Sequence, residues 1–335
     1  MTLPVLSRDA SLATRESKRR QYAEQSRSPG TLDVYKRHWI HFCDWCSAAK
    51  EPVPSYSGDL DRPVDPRCVA DYLISMAERG LSASTLSVAA AAIGARHLAS
   101  AIPTPTAHPG VREVLAGAAR QAAREGRGRG PADPLMPDEL RRMLTCVSPG
   151  LIGIRNSAIL SFGLASGMRR EEISRLQVTD LRIEEDGIRV RLSWSKTDQT
   201  GHGHERRVAA GDHPDLCPVQ WIRTWLSNAG HSTGPLFRAI DTKGGLTDHG
   251  ISPRRIDQIV REHVAMAREK HPDTFRGGRY SAHSLRAGLA TAALLSGKDV
   301  RDVQTHLGHK SVQTTLRYHR AASVRESTVT KGIGL

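Results

Sequence analysis

The sequence predicts a mainly α-helical chain of two domains with a small β-hairpin in the second domain, which makes the fold class α+β. Apolar residues recur at steps of three or four along most of the chain, as they do in amphipathic helices. Two neighbouring segments instead alternate apolar and polar residues, as half-buried strands do. The length of 335 residues is enough for two separate cores.

The first domain is predicted to be helical and to follow a basic tail. Residues 1–27 are rich in Ser, Arg and Glu and have no apolar period, so we expect a flexible tail. Lys18, Arg19 and Arg20 could contact phosphates there, and a solvated run of charges explains them equally well. Residues 28–125 form the helical domain, with helices predicted at residues 31–50, 65–78, 82–100 and 109–125.

The five cysteines are predicted to be reduced, because they are odd in number and have no repeating spacing. Cys43 and Cys46 form a C-x-x-C pair, a pattern found in metal and redox sites. No second pair follows at the spacing of a zinc site, and both residues fall inside a predicted helix. We therefore interpret them as two small residues of a helix.

A basic linker is predicted between the domains, at residues 126–136. Its glycines interrupt the helical pattern, while Arg127 and Arg129 keep it positively charged. The linker could run beside a polyanion or simply be solvated, and the sequence leaves both possibilities open.

The second domain, residues 137–335, is predicted to be mainly helical with one hairpin. The alternating segments 187–194 and 204–210 form this β-hairpin, with Lys196 at its inner end. Short helices are expected near the end of the chain. The longer helices are predicted at residues 137–147, 155–166, 218–229 and 253–270.

The charge balance favours a polyanionic partner. Lys and Arg total 48 against 35 Asp and Glu, a formal net charge of +13. Charge alone leaves DNA, RNA and an anionic membrane open, but aromatic residues are only 4% of the chain, so little surface is available for stacking on single strands. The sequence has no apolar run of transmembrane length and no secretory leader pattern, so we expect a cytoplasmic protein without a membrane partner.

Four short segments carry the polar residues that could perform chemistry. They are Gly167-Met168-Arg169-Arg170-Glu171-Glu172-Ile173, Ser195-Lys196-Thr197, His283-Ser284-Leu285-Arg286, and Leu307-Gly308-His309 followed by Leu316-Arg317-Tyr318. Their order and spacing resemble the tyrosine recombinase, or phage integrase, family. The resemblance covers residues 137–320, and the first domain resembles the core-binding domain of that family more loosely.

The resemblance implies a site-specific DNA recombinase in which Tyr318 forms a covalent 3′-phosphotyrosine link to DNA. Arg169 and Arg286 would grip the phosphate with planar forks, a geometry that lysine cannot reproduce. Lys196 would protonate the leaving 5′ oxygen. A cationic cluster would favour the Tyr318 phenolate.

The family pattern also gives roles to the remaining polar residues. His283, one helical turn before Arg286, would accept the tyrosine's proton or bond the phosphate, and His309 would be a second donor to the phosphate. Glu172 would orient Arg169 from the same face of a helix. No metal and no nucleotide cofactor is expected, because the phosphotyrosine ester conserves the energy of the broken bond.

The resemblance further implies a C-shaped clamp around double-stranded DNA, made by the helical core-binding domain and the catalytic domain. The working unit would be a homotetramer on two DNA sites, with residues 321–335 packed against a neighbouring subunit. Two other functions stay open: strand relaxation of the type IB topoisomerase kind, and non-catalytic DNA binding by the same fold. The separate helical domain argues against a topoisomerase. The complete set of motifs argues against a non-catalytic DNA-binding protein.

Overall fold

Helices account for most of the structure, a computed structural model that describes residue 18 and residues 27–126, 132–192, 204–275 and 278–325. The chain divides into two units, Met1–Gly130 and Pro131–Leu335. Small antiparallel sheets occur in the second unit, so the α+β class is confirmed. Among the residues with predicted functions, Arg19, Arg20, Arg127, Arg129 and Lys196 lie outside the described residues.

The described part of the first unit contains four α-helices at the places that the apolar period predicts. Each begins with a proline or an alanine that follows a side chain capping the helix, as Ser28 does by accepting a bond from the Thr31 amide at 3.3 Å. The helices are α1 (Pro29–Ala48), α2 (Pro66–Glu78), α3 (Ala83–Ala99) and α4 (Pro109–Arg124).

Aromatic and thiol side chains fill the core of this first unit. Phe42 of α1 packs against Tyr72 of α2 with ring centroids 5.1 Å apart. Cys43 and Cys46 are buried in the same core, and the Cys46 sulfur lies 3.7 Å from that of Cys68. All five cysteines are free thiols, as predicted, and the C-x-x-C pair is part of the packing of a helix.

The second unit contains eight α-helices and five strands among its described residues. The helices are α5 (Pro137–Leu144), α6 (Leu151–Ser166), α7 (Arg170–Arg175), α8 (Pro218–Ala229), α9 (Pro253–Lys270), α10 (Ala282–Leu295), α11 (Val300–Leu307) and α12 (Val312–Arg325). The strands are β1 (Leu181–Ile183), β2 (Gly187–Leu192), β3 (His204–Ala209), β4 (Arg238–Ile240) and β5 (Leu246–Gly250).

The predicted hairpin is present, but the sheet that contains it has one strand more than expected. β2 pairs with β3 in antiparallel register, with Ile188 opposite Val208 and Val190 opposite Arg206. β1 adds to the outer edge of β2, which gives the order β1-β2-β3, and β4 pairs with β5 in a separate two-stranded sheet. The three added strands have three to five residues each and no fully buried position, so the sequence lacks the alternation that identifies longer strands.

Helix α6 passes through the middle of the second unit's core. It begins at Leu151, four positions before the predicted start at residue 155. The prediction missed this first turn because the side chains of the helix are buried on nearly all sides, so no polar face reveals a helical period. It ends at Ser166, where Gly167 takes the left-handed conformation. Among the described residues, no helix is both long enough and apolar enough to cross a membrane.

Candidate active site

The candidate site begins at the turn between α6 and α7. Gly167 has φ 57°, which favours glycine, and a Cβ there would lie 2.6 Å from Leu307 Cδ2 and 2.7 Å from Leu289 Cδ2. Both the backbone conformation and the packing therefore require glycine. The turn is pressed against α10 and α11, which carry the next functional residues.

Arg169 and Glu172 form a pair, but not on one face of a helix as expected. Arg169 has extended backbone and caps α7. Glu172, three positions later, accepts a bond from the Arg169 amide at 2.9 Å and another from Arg169 Nη1 at 2.8 Å. The Glu172 carboxylate is only 4% exposed and thus fixes both the main chain and the guanidinium of Arg169.

Arg286 connects two of the motifs. It lies on α10 one turn after His283 and is 1% exposed. Nη1 donates to the Gly167 carbonyl at 2.7 Å, and Nη2 donates to the Leu307 carbonyl at 2.7 Å. Burial, together with the charge of Arg169, lowers the pKa of Arg286 to about 10, so it stays positively charged at neutral pH.

Tyr318 lies on α12, with its hydroxyl beside His283. The distance from Tyr318 Oη to His283 Nε2 is 3.1 Å. The Tyr318 ring also stacks on that of His309, with centroids 5.9 Å apart and an interplanar angle of 11°. Two histidines from different motifs thus contact the phenol from separate directions.

The protonation of Tyr318 depends on two opposing effects. Burial raises the pKa of the phenol above its ordinary value of 10.0, and the neighbouring arginines, Arg286 first, only partly oppose this. The cationic cluster was expected to favour the phenolate, but loss of water around the ring outweighs it in the DNA-free chain. Tyr318 is therefore a neutral phenol at pH 7 in the DNA-free chain.

His283, the residue beside the Tyr318 hydroxyl, is also neutral. Desolvation of its ring, followed by the charges of Arg286 and Arg169, lowers its pKa below 6.5. His283 is thus neutral at pH 7 and can accept a proton at Nε2.

His309 is neutral for the same reasons. It is 9% exposed, and burial followed by the charge of Arg286 lowers its pKa to about 4. Its Nδ1 lies 2.8 Å from the Thr315 hydroxyl, an interaction that the sequence analysis did not identify.

A second residue missed from the sequence is Arg206 on β3. It is 8% exposed, and Nη1 donates to the Ser166 carbonyl at 3.0 Å, one residue before the carbonyl that Arg286 holds. Burial lowers its pKa, and the carboxylate of Glu172 acts in the opposite direction. The sequence does contain a signal for Arg206. It lies two residues before Val208, on the buried face of an alternating strand, where a charged side chain is rare unless it has a specific partner.

The structure thus brings five of the six predicted catalytic residues, and Glu172, into one cluster. Arg169, His283, Arg286, His309 and Tyr318 are linked by contacts or by electrostatic effects on one another's pKa. Lys196 belongs to the residues that the structure does not describe. No group of three or more His, Cys, Asp or Glu side chains within the described segments is arranged to hold a metal ion.

Comparisons with known proteins give a consistent result. The model of the phage integrase family matches residues 134–325, more than half of the chain. An integrase/recombinase XerD homolog of Selenomonas ruminantium is 28% identical over 306 residues, which cover 90% of this chain and 84% of that protein. The tyrosine recombinase XerC of Chromohalobacter salexigens is 28% identical over 298 residues, 88% of this chain and 86% of that protein.

Solved structures show the same fold. The Tn1549 transposon integrase in complex with transposon right end DNA has a TM-score of 0.57 at 15% identity and covers 94% of this chain and 98% of its own. The XerH site-specific recombinase, in a post-cleavage complex with a palindromic difH substrate, has a TM-score of 0.55 at 18% identity and covers 80% and 72% of the two chains. From the family match and the long alignments with recombinases, we conclude that the chain belongs to the phage integrase family of tyrosine recombinases.

Proposed function

We propose that this recombinase cleaves and rejoins double-stranded DNA at specific sites through a covalent link to Tyr318. The observation that carries the proposal is the position of the Tyr318 hydroxyl, 3.1 Å from His283 Nε2, in a pocket of positive charge set by Arg286 and Arg169. A neutral phenol beside a neutral imidazole and two arginines is suited to attack on a phosphodiester.

The two arginines would bind the phosphate and stabilise the charge that builds on its nonbridging oxygens. Arg286 has two N–H groups committed to the carbonyls of Gly167 and Leu307, which fixes the plane of its fork before DNA arrives. Arg169 is fixed by Glu172 in the same way, which gives Glu172 the orienting role. His309 would donate a further hydrogen bond to the phosphate.

The proton transfers follow from the neutral states of the site residues. As Tyr318 Oη attacks phosphorus, its proton passes to His283 Nε2. The bond from phosphorus to the 5′ oxygen breaks, and Lys196 gives that oxygen a proton, so a 5′ hydroxyl and a 3′-phosphotyrosine ester result. Attack of a 5′ hydroxyl from another strand on this ester reverses the steps and joins the strands, with no metal or nucleotide needed.

Several features of the partner complex belong to the same proposal. Residues 28–125 would form the core-binding domain, the basic residues of the tail and of the linker at residues 126–136 would contact phosphates, and the DNA would be clamped between the two domains. Exchange between two duplexes breaks four strands, so four copies of Tyr318 and hence a homotetramer would be needed, with residues 321–335 joining neighbours. A DNA substrate would place the protein in the cytoplasm, and such an exchange would serve phage integration, the movement of a transposon or another mobile element, or the resolution of plasmids or chromosomes.

The test is capture of the covalent adduct on random-sequence DNA duplexes that carry a nick. The purified chain is incubated with them in the presence of a metal chelator and then denatured in detergent. We expect the unaltered chain to retain DNA, with the 3′ end blocked to exonuclease and the 5′ end free, and Tyr318→Phe to retain none while still binding DNA in native gels. Sequencing of the retained DNA should show a shared site.

Other outcomes separate the alternatives. Retained DNA without a shared sequence, together with relaxation of supercoiled plasmid, would indicate the topoisomerase kind of activity. Native binding without any adduct from the unaltered chain would indicate a non-catalytic DNA-binding protein. An adduct that survives in Tyr318→Phe would exclude Tyr318 as the nucleophile.

A further inference from the structure

We propose that Thr315 is a positioning residue whose hydroxyl donates to His309 Nδ1 and thereby keeps the His309 proton on Nε2, the nitrogen that bonds the phosphate. The inference rests on the proposed function, since it assigns a role within the same site.

The contact between the two side chains is short and shielded from water. Thr315 Oγ1 lies 2.8 Å from His309 Nδ1, and the two residues are 0% and 9% exposed. A buried hydroxyl and a buried ring nitrogen each need a partner, since a buried polar group without a hydrogen bond destabilises the folded state. Each is the other's partner here.

The main chain of His309 is held separately, so the Thr315 contact acts on the ring. The His309 amide donates to the Gln304 carbonyl at 3.0 Å, and Gln304 Nε2 donates back to the His309 carbonyl at 2.9 Å. Arg286 holds the Leu307 carbonyl two residues earlier. With the backbone fixed at these points, ring rotation and the choice of tautomer are the freedoms that remain to His309.

The chemistry of the site decides which tautomer is useful. His309 is neutral, so one ring nitrogen carries a proton and the other carries a lone pair. A lone pair on Nε2 would repel a phosphate oxygen, whereas an Nε2–H group would donate to it. A hydroxyl that donates to Nδ1 fixes the proton on Nε2, because each nitrogen's state is set by the bond that the other makes.

The position of Thr315 on α12 adds a second consequence. It lies three residues before Tyr318, so both side chains are on the same face of that helix. The ring of His309 contacts both, through the hydrogen bond to Thr315 and through stacking on Tyr318. The contact therefore aligns His309 with the helix that carries the nucleophile.

The first test compares Thr315→Val and Thr315→Ser with Thr314→Val, in the rate of adduct formation on nicked DNA. Valine keeps the shape of threonine without the hydroxyl, and serine keeps the hydroxyl. Partners that orient metal-binding histidines are worth roughly 10- to 100-fold in activity, and we take the same range for this contact. We expect a loss of this size for Thr315→Val, recovery in Thr315→Ser, and unchanged DNA affinity, while Thr314→Val, a half-buried neighbour, retains the original rate.

A double-mutant cycle with His309→Leu tests whether Thr315 acts through His309. We expect Thr315→Val to cause no further loss once His309 is replaced, because coupled residues are not additive. An equal loss in both backgrounds, or a Thr315→Val rate within two-fold of the original, would overturn the inference.

Nitrogen-15 NMR of histidine-labelled protein provides a readout that does not depend on activity. The His309 signals, identified by their absence in His309→Leu, should show an unprotonated Nδ1 and a protonated Nε2, and this preference should be lost in Thr315→Val. A proton on Nδ1 in the unaltered chain would overturn the inference. If the unaltered chain forms no adduct, the proposed function fails, but the NMR result still decides the role of Thr315.

Discussion

At the scale of single residues, the proposed reaction requires the activation of a tyrosine that burial keeps protonated. Burial raises the pKa of Tyr318, and the nearby arginines do not reverse the effect. In the proposed reaction the phenol would lose its proton during the attack, and the nearest acceptor is His283 Nε2, 3.1 Å from the hydroxyl. The desolvation that disfavours the phenolate also lowers the pKa of His283 and keeps it ready as a base.

The proposed role of His283 as a base predicts how adduct formation depends on pH. A base acts in its unprotonated form, so adduct formation should be constant above the pKa of His283, which lies below 6.5, and should fall as the pH drops through it. In His283→Gln the rate should be lower by about 100-fold or more, and this fall should disappear. The measurement is the single-turnover rate of adduct formation between pH 5 and 8.

An exposed histidine provides the control for this experiment. His213→Gln, in a solvent-exposed loop, should retain both the rate and the pH profile. An unchanged acid limb in His283→Gln would show that another group accepts the proton of Tyr318.

Arg286 should not tolerate lysine. Its planar fork donates to two carbonyls from different motifs, and a single ammonium cannot reproduce both bonds together with a contact to phosphate. We expect Arg286→Lys to lose about 1–3 kcal/mol of unfolding free energy for each carbonyl left unsatisfied, and to slow adduct formation by about 100-fold or more. Denaturant unfolding and adduct rates would measure the two effects.

The matched control for Arg286→Lys is Arg301→Lys on α11, where the side chain is exposed. This variant should behave like the unaltered chain in both assays. Full cleavage activity in Arg286→Lys would contradict the idea that a planar fork is required.

At the scale of secondary-structure elements, the position of Arg169 depends on arginines from two other elements. Arg206 of β3 holds the Ser166 carbonyl, and Arg286 of α10 holds the next carbonyl, Gly167. Positive charge at the C-terminal end of α6 is also favoured by the helix dipole. The sheet and α10 thus determine together where α6 ends and where the chain turns towards Arg169.

Removal of one of these supports should impair chemistry more than DNA binding. Arg206→Gln should slow adduct formation at least about ten-fold and lower the unfolding free energy by about 1–3 kcal/mol, while DNA affinity in native gels changes little. Its neighbour Arg207 is exposed and pairs with Asp186, so Arg207→Gln should leave the cleavage rate unchanged. Equal cleavage rates in the two variants would remove the case for Arg206.

The same scale shows what could be predicted from the sequence. The helices at Pro218–Ala229 and Pro253–Lys270 were predicted with their observed bounds, because each has a proline at its start and a clear polar face. The start of α6 and the three short strands were missed, because neither all-round burial nor three to five residues leave a period to read. In these elements the tertiary environment, and not the local pattern, determines the structure.

The residues of the candidate site also fall into two groups, those that the sequence identifies and those that only the structure identifies. Residues in recognisable motifs were identified as candidates, because their chemistry and order are visible in the sequence. Thr315 and Arg206 were not, since a threonine in a helix and an arginine in a strand become meaningful only through the carbonyl or ring nitrogen they contact. The net direction of the Tyr318 pKa shift could not be predicted for a related reason: the nearby cations can be inferred from the motifs, but burial cannot.

At the scale of the whole molecule, buried histidines make folding sensitive to acid. Burial is the largest cause of a lowered pKa at histidines in both units, and it brings His306 and His309 to about 4. The same cause comes first at His38, His97, His263 and His283. In the unfolded chain each of these rings would titrate near its ordinary value of 6.5.

The sign of the resulting pH dependence follows from proton linkage. Between pH 6.5 and about 4 the unfolded chain binds more protons at His306 and His309 than the folded chain does, so the unfolding free energy must decrease as the pH falls through this range. Above pH 6.5 these residues contribute no slope.

We expect thermal unfolding temperatures to be level from pH 8 to 7 and to decline from pH 6.5 towards 4, and the decline to be shallower in His306→Gln and in His309→Gln. His213→Gln, which removes an exposed histidine, should follow the original curve. Parallel curves for all four proteins would show that carboxylates, and not buried histidines, dominate the response to acid.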